Sequence, residues 1–110
     1  MQSREIVNNL RIKYSWLSYE EMFMAYEFAV SDYYMYKYPS ENNRPKYNAT
    51  VDLDFYASQW VQQRMIDILE RAGGSSVTSY SENGLSWTYA KSHIDPALVS
   101  MIMPKAATPK

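Results

Sequence analysis

The residues that could do chemistry in this chain are few and badly placed for it. His93 is the only histidine, and there is no cysteine. A metal ion needs three or four converging ligands and a general base needs an orienting partner, so His93 reads as a surface or packing residue. Asp52 with Asp54, and Glu20 with Glu21, are the candidate carboxylate pairs for acid–base work. Each pair falls where a helix should begin, and acidic side chains are favoured there by the helix dipole. Ser75 and Ser76 have no base at a plausible motif spacing. Gly73-Gly74 closes a helical pattern instead of opening one, and it lacks the lysine of a phosphate loop. Arg64 and Arg71 share nearly one helix face with Glu70 beside them, which predicts a solvated or ion-paired face over a phosphate site. No catalytic, metal or cofactor-binding set is expected, and the chain reads as a non-enzyme.

The elements that would hold these residues are mainly helical. Ile6, Val7, Leu10 and Tyr14 recur at helix spacing and predict a short helix over 3–14. Ser18-Tyr19-Glu20-Glu21 is a capping box. It opens a helix that runs to about Lys37, ended by Pro39. Apolar residues lie on most sides of this helix, which predicts burial on most sides and suggests a neighbouring subunit as cover. A polar loop covers 39–50; its Asn48-Ala49-Thr50 matches a glycosylation acceptor, which carries little weight without a secretion signal. A second long helix is predicted from Val51 to Ala72, with Thr50 or Asp52 as its cap and Gly73 or Gly74 as its stop. Asp95-Pro96 opens a last short helix.

Between the helices, Val77 to Tyr89 reads as a β-hairpin closed by a type I′ turn at Asn83-Gly84. Pairing from that turn puts Thr78, Tyr80, Leu85, Trp87 and Tyr89 on one face. A lone hairpin is not stable in water, so that aromatic face must be covered by this chain or by another copy of it. The expected fold is a small helical bundle, two long helices plus short N- and C-terminal helices, with one β-hairpin. Residues 1–102 form a single domain, and 103–110 form a tail ordered only against a partner.

Composition narrows the function class. With 110 residues and no cysteine, one core without disulfides or thiolate metal sites is expected. A net charge of -1 argues against broad electrostatic binding of nucleic acid. No signal peptide is evident, and no stretch is long and apolar enough to cross a bilayer. The chain carries 11 Tyr, 3 Trp and 7 Met against 3 Phe. Tyr, Trp and Met are the residues enriched at interface cores.

The run from Arg64 to Tyr89, with its Glu70-Arg71, Gly73 and Ser79-Tyr80-Ser81-Glu82-Asn83-Gly84, resembles the signature region of tailed-phage head–tail connector proteins. These are also called adaptor or head-completion proteins. In that family a long helix ends near glycine, a Ser/Glu/Gly hairpin follows, and a short segment similar to Asp95-Pro96-Ala97-Leu98-Val99 comes before the end of the chain. The resemblance implies a structural protein without catalytic activity or cofactor. It implies a ring, usually of twelve copies, in the capsid neck of the virion, assembled in the host bacterial cytoplasm. The implied partners are itself, the portal protein and the next neck, stopper or tail protein; double-stranded DNA only passes through the channel, and no membrane is involved. Carried onto this chain, Val77, Tyr80, Leu85, Trp87 and Tyr89 would contact neighbouring subunits. Met101, Met103, Pro104 and Lys105 would dock on the portal. The alternative from a different class is a small monomeric helical module that binds another protein. It expects the hairpin to pack on the chain's own helices and the tyrosines to line one groove.

Overall fold

A computed structural model describes residues 1–72 and 87–102, apart from the side chain of Thr88. Five α-helices and a 3₁₀ turn occupy them: α1 (Ser3–Arg11), α2 (Tyr19–Lys37), the turn Glu41–Asn43, α3 (Phe55–Arg71), α4 (Trp87–Ser92) and α5 (Pro96–Ser100). Among the described residues there is no β-strand.

Local sequence accounts for most of the boundaries. The Glu5 carboxylate accepts the Gln2 amide at 3.1 Å and closes the first turn of α1. That helix stops at Arg11, earlier than expected, and Tyr14 reaches the core from the turn after it. The capping box of α2 forms as read: Glu21 N–H donates to Ser18 Oγ at 3.1 Å and Ser18 N–H donates to Glu21 Oε1 at 3.0 Å. Pro39 follows its last turn. Asn48-Ala49-Thr50 is a turn in which Asn48 Oδ1 accepts both the amide and the hydroxyl of Thr50.

The start of α3 departs from expectation. Its cap is Asp54, whose Oδ1 accepts from Ala57 N–H at 2.7 Å, and not Thr50 or Asp52. The cause is non-local. Leu53 N–H donates to the Met1 carbonyl at 3.0 Å, the Met1 amino group donates to the Leu53 carbonyl, and Asp52 pairs with that amino group at 3.0 Å. Backbone groups used this way cannot join a helical ladder.

The second departure is α4. Trp87 and Tyr89, expected on a strand, lie on a helix. Ala90 is fully buried, Trp87 packs edge-on against Phe28 of α2 at 5.9 Å, and His93 stacks on Tyr89 four residues before it. These are helical spacings. The rest of the expected hairpin, including Val77, Tyr80, Leu85 and the Asn83-Gly84 turn, lies outside the described residues, as do Gly73 and Gly74.

The core is built on α2 and α3, which run antiparallel: Tyr33 of α2 meets Trp60 of α3 at 5.7 Å, and Asp32 meets Arg64. α1 closes one side with Ile6, Val7 and Leu10, while α4 and α5 close another with Ala90 and Leu98. The Trp60 indole donates to the Leu98 carbonyl at 2.7 Å, joining α5 to α3. The many apolar sides of α2 are therefore covered largely within the chain. Met22, Ala25, Tyr26, Ala29 and Val30 are fully buried, whereas Met24 and Met35 stay about 40% exposed.

Tyrosine hydroxyls share this core at a cost. The Tyr26 hydroxyl is buried with no hydrogen-bond partner, and burial, with Tyr47 and Tyr34 adjacent, pushes its pKa up to about 12. Burial, then its hydrogen bond to the Glu70 carboxylate, holds Tyr14 well above the ordinary range. The unfolded chain loses both protons near pH 10, and the folded chain keeps them. Stability should hold up to about pH 10 and fall between there and about 12. Phenolate absorbance should show Tyr14 and Tyr26 ionising only as helical circular dichroism is lost. Ionisation of every tyrosine near pH 10 with helices intact would refute this burial.

Candidate functional site

The described residues present two features that packing alone does not explain: a buried guanidinium and an exposed aromatic pole. The first is Arg64, on the middle of α3 and 1% exposed. Its Nε donates to Asp32 Oδ2 of α2 at 2.8 Å. Nη1 donates to Asp67 Oδ2 at 2.7 Å and to the His93 carbonyl at 2.8 Å. Nη2 donates to the carbonyls of Ala90 and Lys91 at 3.4 and 3.3 Å. Guanidinium has five N–H donors, and all five are engaged. Three of the acceptors lie at and just beyond the C-terminal end of α4, where carbonyls lack helical partners and carry partial negative charge.

Asp67 extends the cluster. Its Oδ1 accepts from Arg71 Nε at 2.9 Å, and its Oδ2 also accepts the Asp95 amide at 3.1 Å. Asp95 in turn caps α5 through Ala97 N–H at 3.0 Å. Burial raises the Asp32 pKa, and the Arg64 hydrogen bond and charge only partly offset it. The expected ion-paired face of Arg64 and Arg71 is present, but Arg64 is not solvated: it is the polar centre of the fold.

The second feature lies at the other end of α3. Phe55 is 78% exposed and Tyr56 56%. The Tyr56 hydroxyl donates to the carbonyl of Met101, which is itself 48% exposed. Met101, singled out from sequence, is thus joined through its carbonyl to Tyr56, which was not. The signal available was Phe55-Tyr56 directly after the Asp54 cap, off the apolar face marked by Ala57, Trp60 and Val61. Met103, Pro104 and Lys105 lie outside the described residues.

The remaining candidates do not converge. Asp54 caps α3, Asp52 pairs with the Met1 amino group, and Glu21 caps α2. Ser75 and Ser76 are outside the described residues. His93 is exposed, stacks on the Tyr89 ring at 4.2 Å, and holds its Nδ1 2.8 Å from the Tyr89 carbonyl. Among the described residues no group of three His, Cys, Asp or Glu is placed to hold a metal ion. No helix among them is long and apolar enough to cross a membrane. Comparison with known proteins adds nothing, since no family model, curated protein or solved structure matches the chain.

Removing Arg64 should be far costlier than a surface change. Arg64→Met leaves Asp32, part of Asp67 and three carbonyls without their donor, and should lower unfolding free energy by about 3–5 kcal/mol. Arg64→Lys should recover only part of this, because ammonium has three donors and no fork. Urea unfolding followed by circular dichroism reads both. An unchanged midpoint for Arg64→Met would rule out the hub.

Proposed function

We propose that this chain is a structural neck protein of a tailed phage: a connector subunit that docks beneath the portal in a ring, extends the DNA channel, and offers a platform to the next neck or tail protein. The reading starts from the resemblance over Arg64 to Tyr89. What supports it in the fold is the layout of two long antiparallel helices followed by the short capped helix at Asp95-Pro96. The observation that carries it furthest is the bond from the exposed Tyr56 to the Met101 carbonyl, with Phe55 exposed next to Tyr56 in sequence. Exposed aromatic and methionine side chains are typical of interaction surfaces, and Met101 is the first residue of the set to which portal docking is assigned. A net charge of -1 suits a channel wall that lets DNA slide, since each phosphate neutralised would add affinity.

The subunit contacts need restating. Trp87 is half-buried against Phe28 of its own chain, so its first role is in the fold. Tyr89, about half exposed, remains available to a neighbour. The packing of Trp87 and the closure of the core within one chain favour a second reading, a monomeric helical module that binds another protein.

Light scattering separates the two. With portal protein present, the connector should enter a complex many times its own 12.9 kDa. A double variant, Phe55→Ser with Met101→Ser, should weaken that association at least about tenfold while leaving the circular dichroism unchanged, as expected for loss of a central apolar contact. A chain that stays monomeric with portal at every concentration would sink the connector reading and leave the module.

A further inference from the structure

A third surface lies apart from both features, in the groove between α1 and α2. Arg4, Tyr19 and Phe23 line a depression of about 360 Å³. The Tyr19 and Phe23 rings are 6.5 Å apart, and the row continues through Tyr26 to Tyr47 at 6.3 and 6.2 Å. The Tyr19 hydroxyl donates to Asn8 Oδ1 at 3.1 Å, fixing its ring against α1. The Arg11 guanidinium lies over the same ring, 4.1 Å from its centroid.

The charges here are unbalanced. Among the described residues neither Arg4 nor Arg11 pairs with a carboxylate. Among the described residues Arg11 donates only to the Leu17 carbonyl at 3.3 Å, and its Nε is buried with no acceptor there. Of the acids nearby, Glu20 forms no salt bridge with either arginine among the described residues. Glu5 holds the Gln2 amide, Glu21 holds Ser18, and Glu27 lies one turn beyond Phe23. Guanidinium groups recognise carboxylates through paired hydrogen bonds, and neighbouring rings give an apolar wall for the next side chain.

We propose that this groove binds an acidic segment of a partner protein, with a carboxylate on Arg4 and an adjacent apolar side chain against Tyr19 and Phe23. One exposed guanidinium and a pair of rings suit a short peptide. A nucleic-acid backbone would need a longer basic track, which a chain of net charge -1 does not offer. The inference stands apart from the connector reading, because it uses a different surface.

The test titrates an acetylated, amidated hexapeptide of alternating aspartate and leucine into the full isotope-labelled chain, with its asparagine–leucine counterpart as control. The amides of Arg4, Tyr19 and Phe23 should shift with the acidic peptide alone, and the shifts should weaken with added salt. Arg4→Glu should reduce affinity roughly tenfold or more, the worth of a charge-assisted hydrogen bond. Arg4 is exposed, so thermal unfolding should be unaffected; if it is not, Tyr19→Ser reads the same loss through the ring. No shift at millimolar peptide, equal shifts with the control, or shifts mapping elsewhere would overturn the proposal. So would a short oligothymidine that moves these amides where the acidic peptide does not.

Discussion

A guanidinium taken out of water must be given back all of its hydrogen bonds, and Arg64 recovers them from three separate parts of the chain. Asp32 comes from α2, Asp67 from the next turn of α3, and the carbonyls from the end of α4. Much of the remaining arrangement follows. α2 must present Asp32 inward, so its apolar flanks turn toward α1 on one side and Trp87 on the other. α4 must end over α3, which brings Asp95 to Asp67 and places α5 where Trp60 can bond Leu98. A buried ion pair is weak evidence for stability, because desolvation cancels much of its attraction. The upward shift of Asp32 expresses that cancellation. What the cluster supplies is position: any other placement of α4 would leave donors unpaired in a dry interior.

The sequence was legible where structure is local. Ser18 with Glu21, and Asp95 with Pro96, gave the correct helix starts because a cap depends on residues three or four apart. It misled where distant partners decide. Val51 to Asp54 reads as a helix start until the backbone of Leu53 is paired with Met1. Trp87 and Tyr89 alternate like a strand with Leu85. Yet Ala90 and His93 also complete helical spacings with them, and carbonyls accepting from Arg64 select the helix. The bond from Tyr56 to the Met101 carbonyl was not legible, since only the fold brings residues 45 apart together. Arg64 itself had a readable clue. Asp32 is the sole charged residue between Phe28 and Tyr36, and a lone acid in an apolar stretch needs a buried cation.

Among the described residues the tyrosines range from core to surface, with Tyr36, Tyr38 and Tyr47 partly buried between the extremes. Tyr14, Tyr26, Tyr33 and Tyr34 are core residues, carrying hydroxyls into the interior between α1, α2 and α3. Tyr19, Tyr56 and Tyr89 are about half exposed, and each lies at a distinct place: the α1/α2 groove, the pole beside Met101, and α4. A composition rich in interface-type residues therefore places much of its tyrosine in the core and leaves Tyr19, Tyr56 and Tyr89 at separate places on the surface.

Among the described residues Arg64 holds the end of α4 by main-chain oxygens and by no side chain of that helix. Its bonds do not depend on the side chains at Ala90 and His93, apart from the space Ala90 must fill, whereas Lys91 also faces Phe28 and offsets the Asp32 charge. Substitutions along the outer side of α4 can thus change its charge and its affinity for a neighbour while its placement is kept. The fold in effect carries a fixed bracket with an interchangeable outer surface, and a protein that had to follow a changing partner could do so there without refashioning its core.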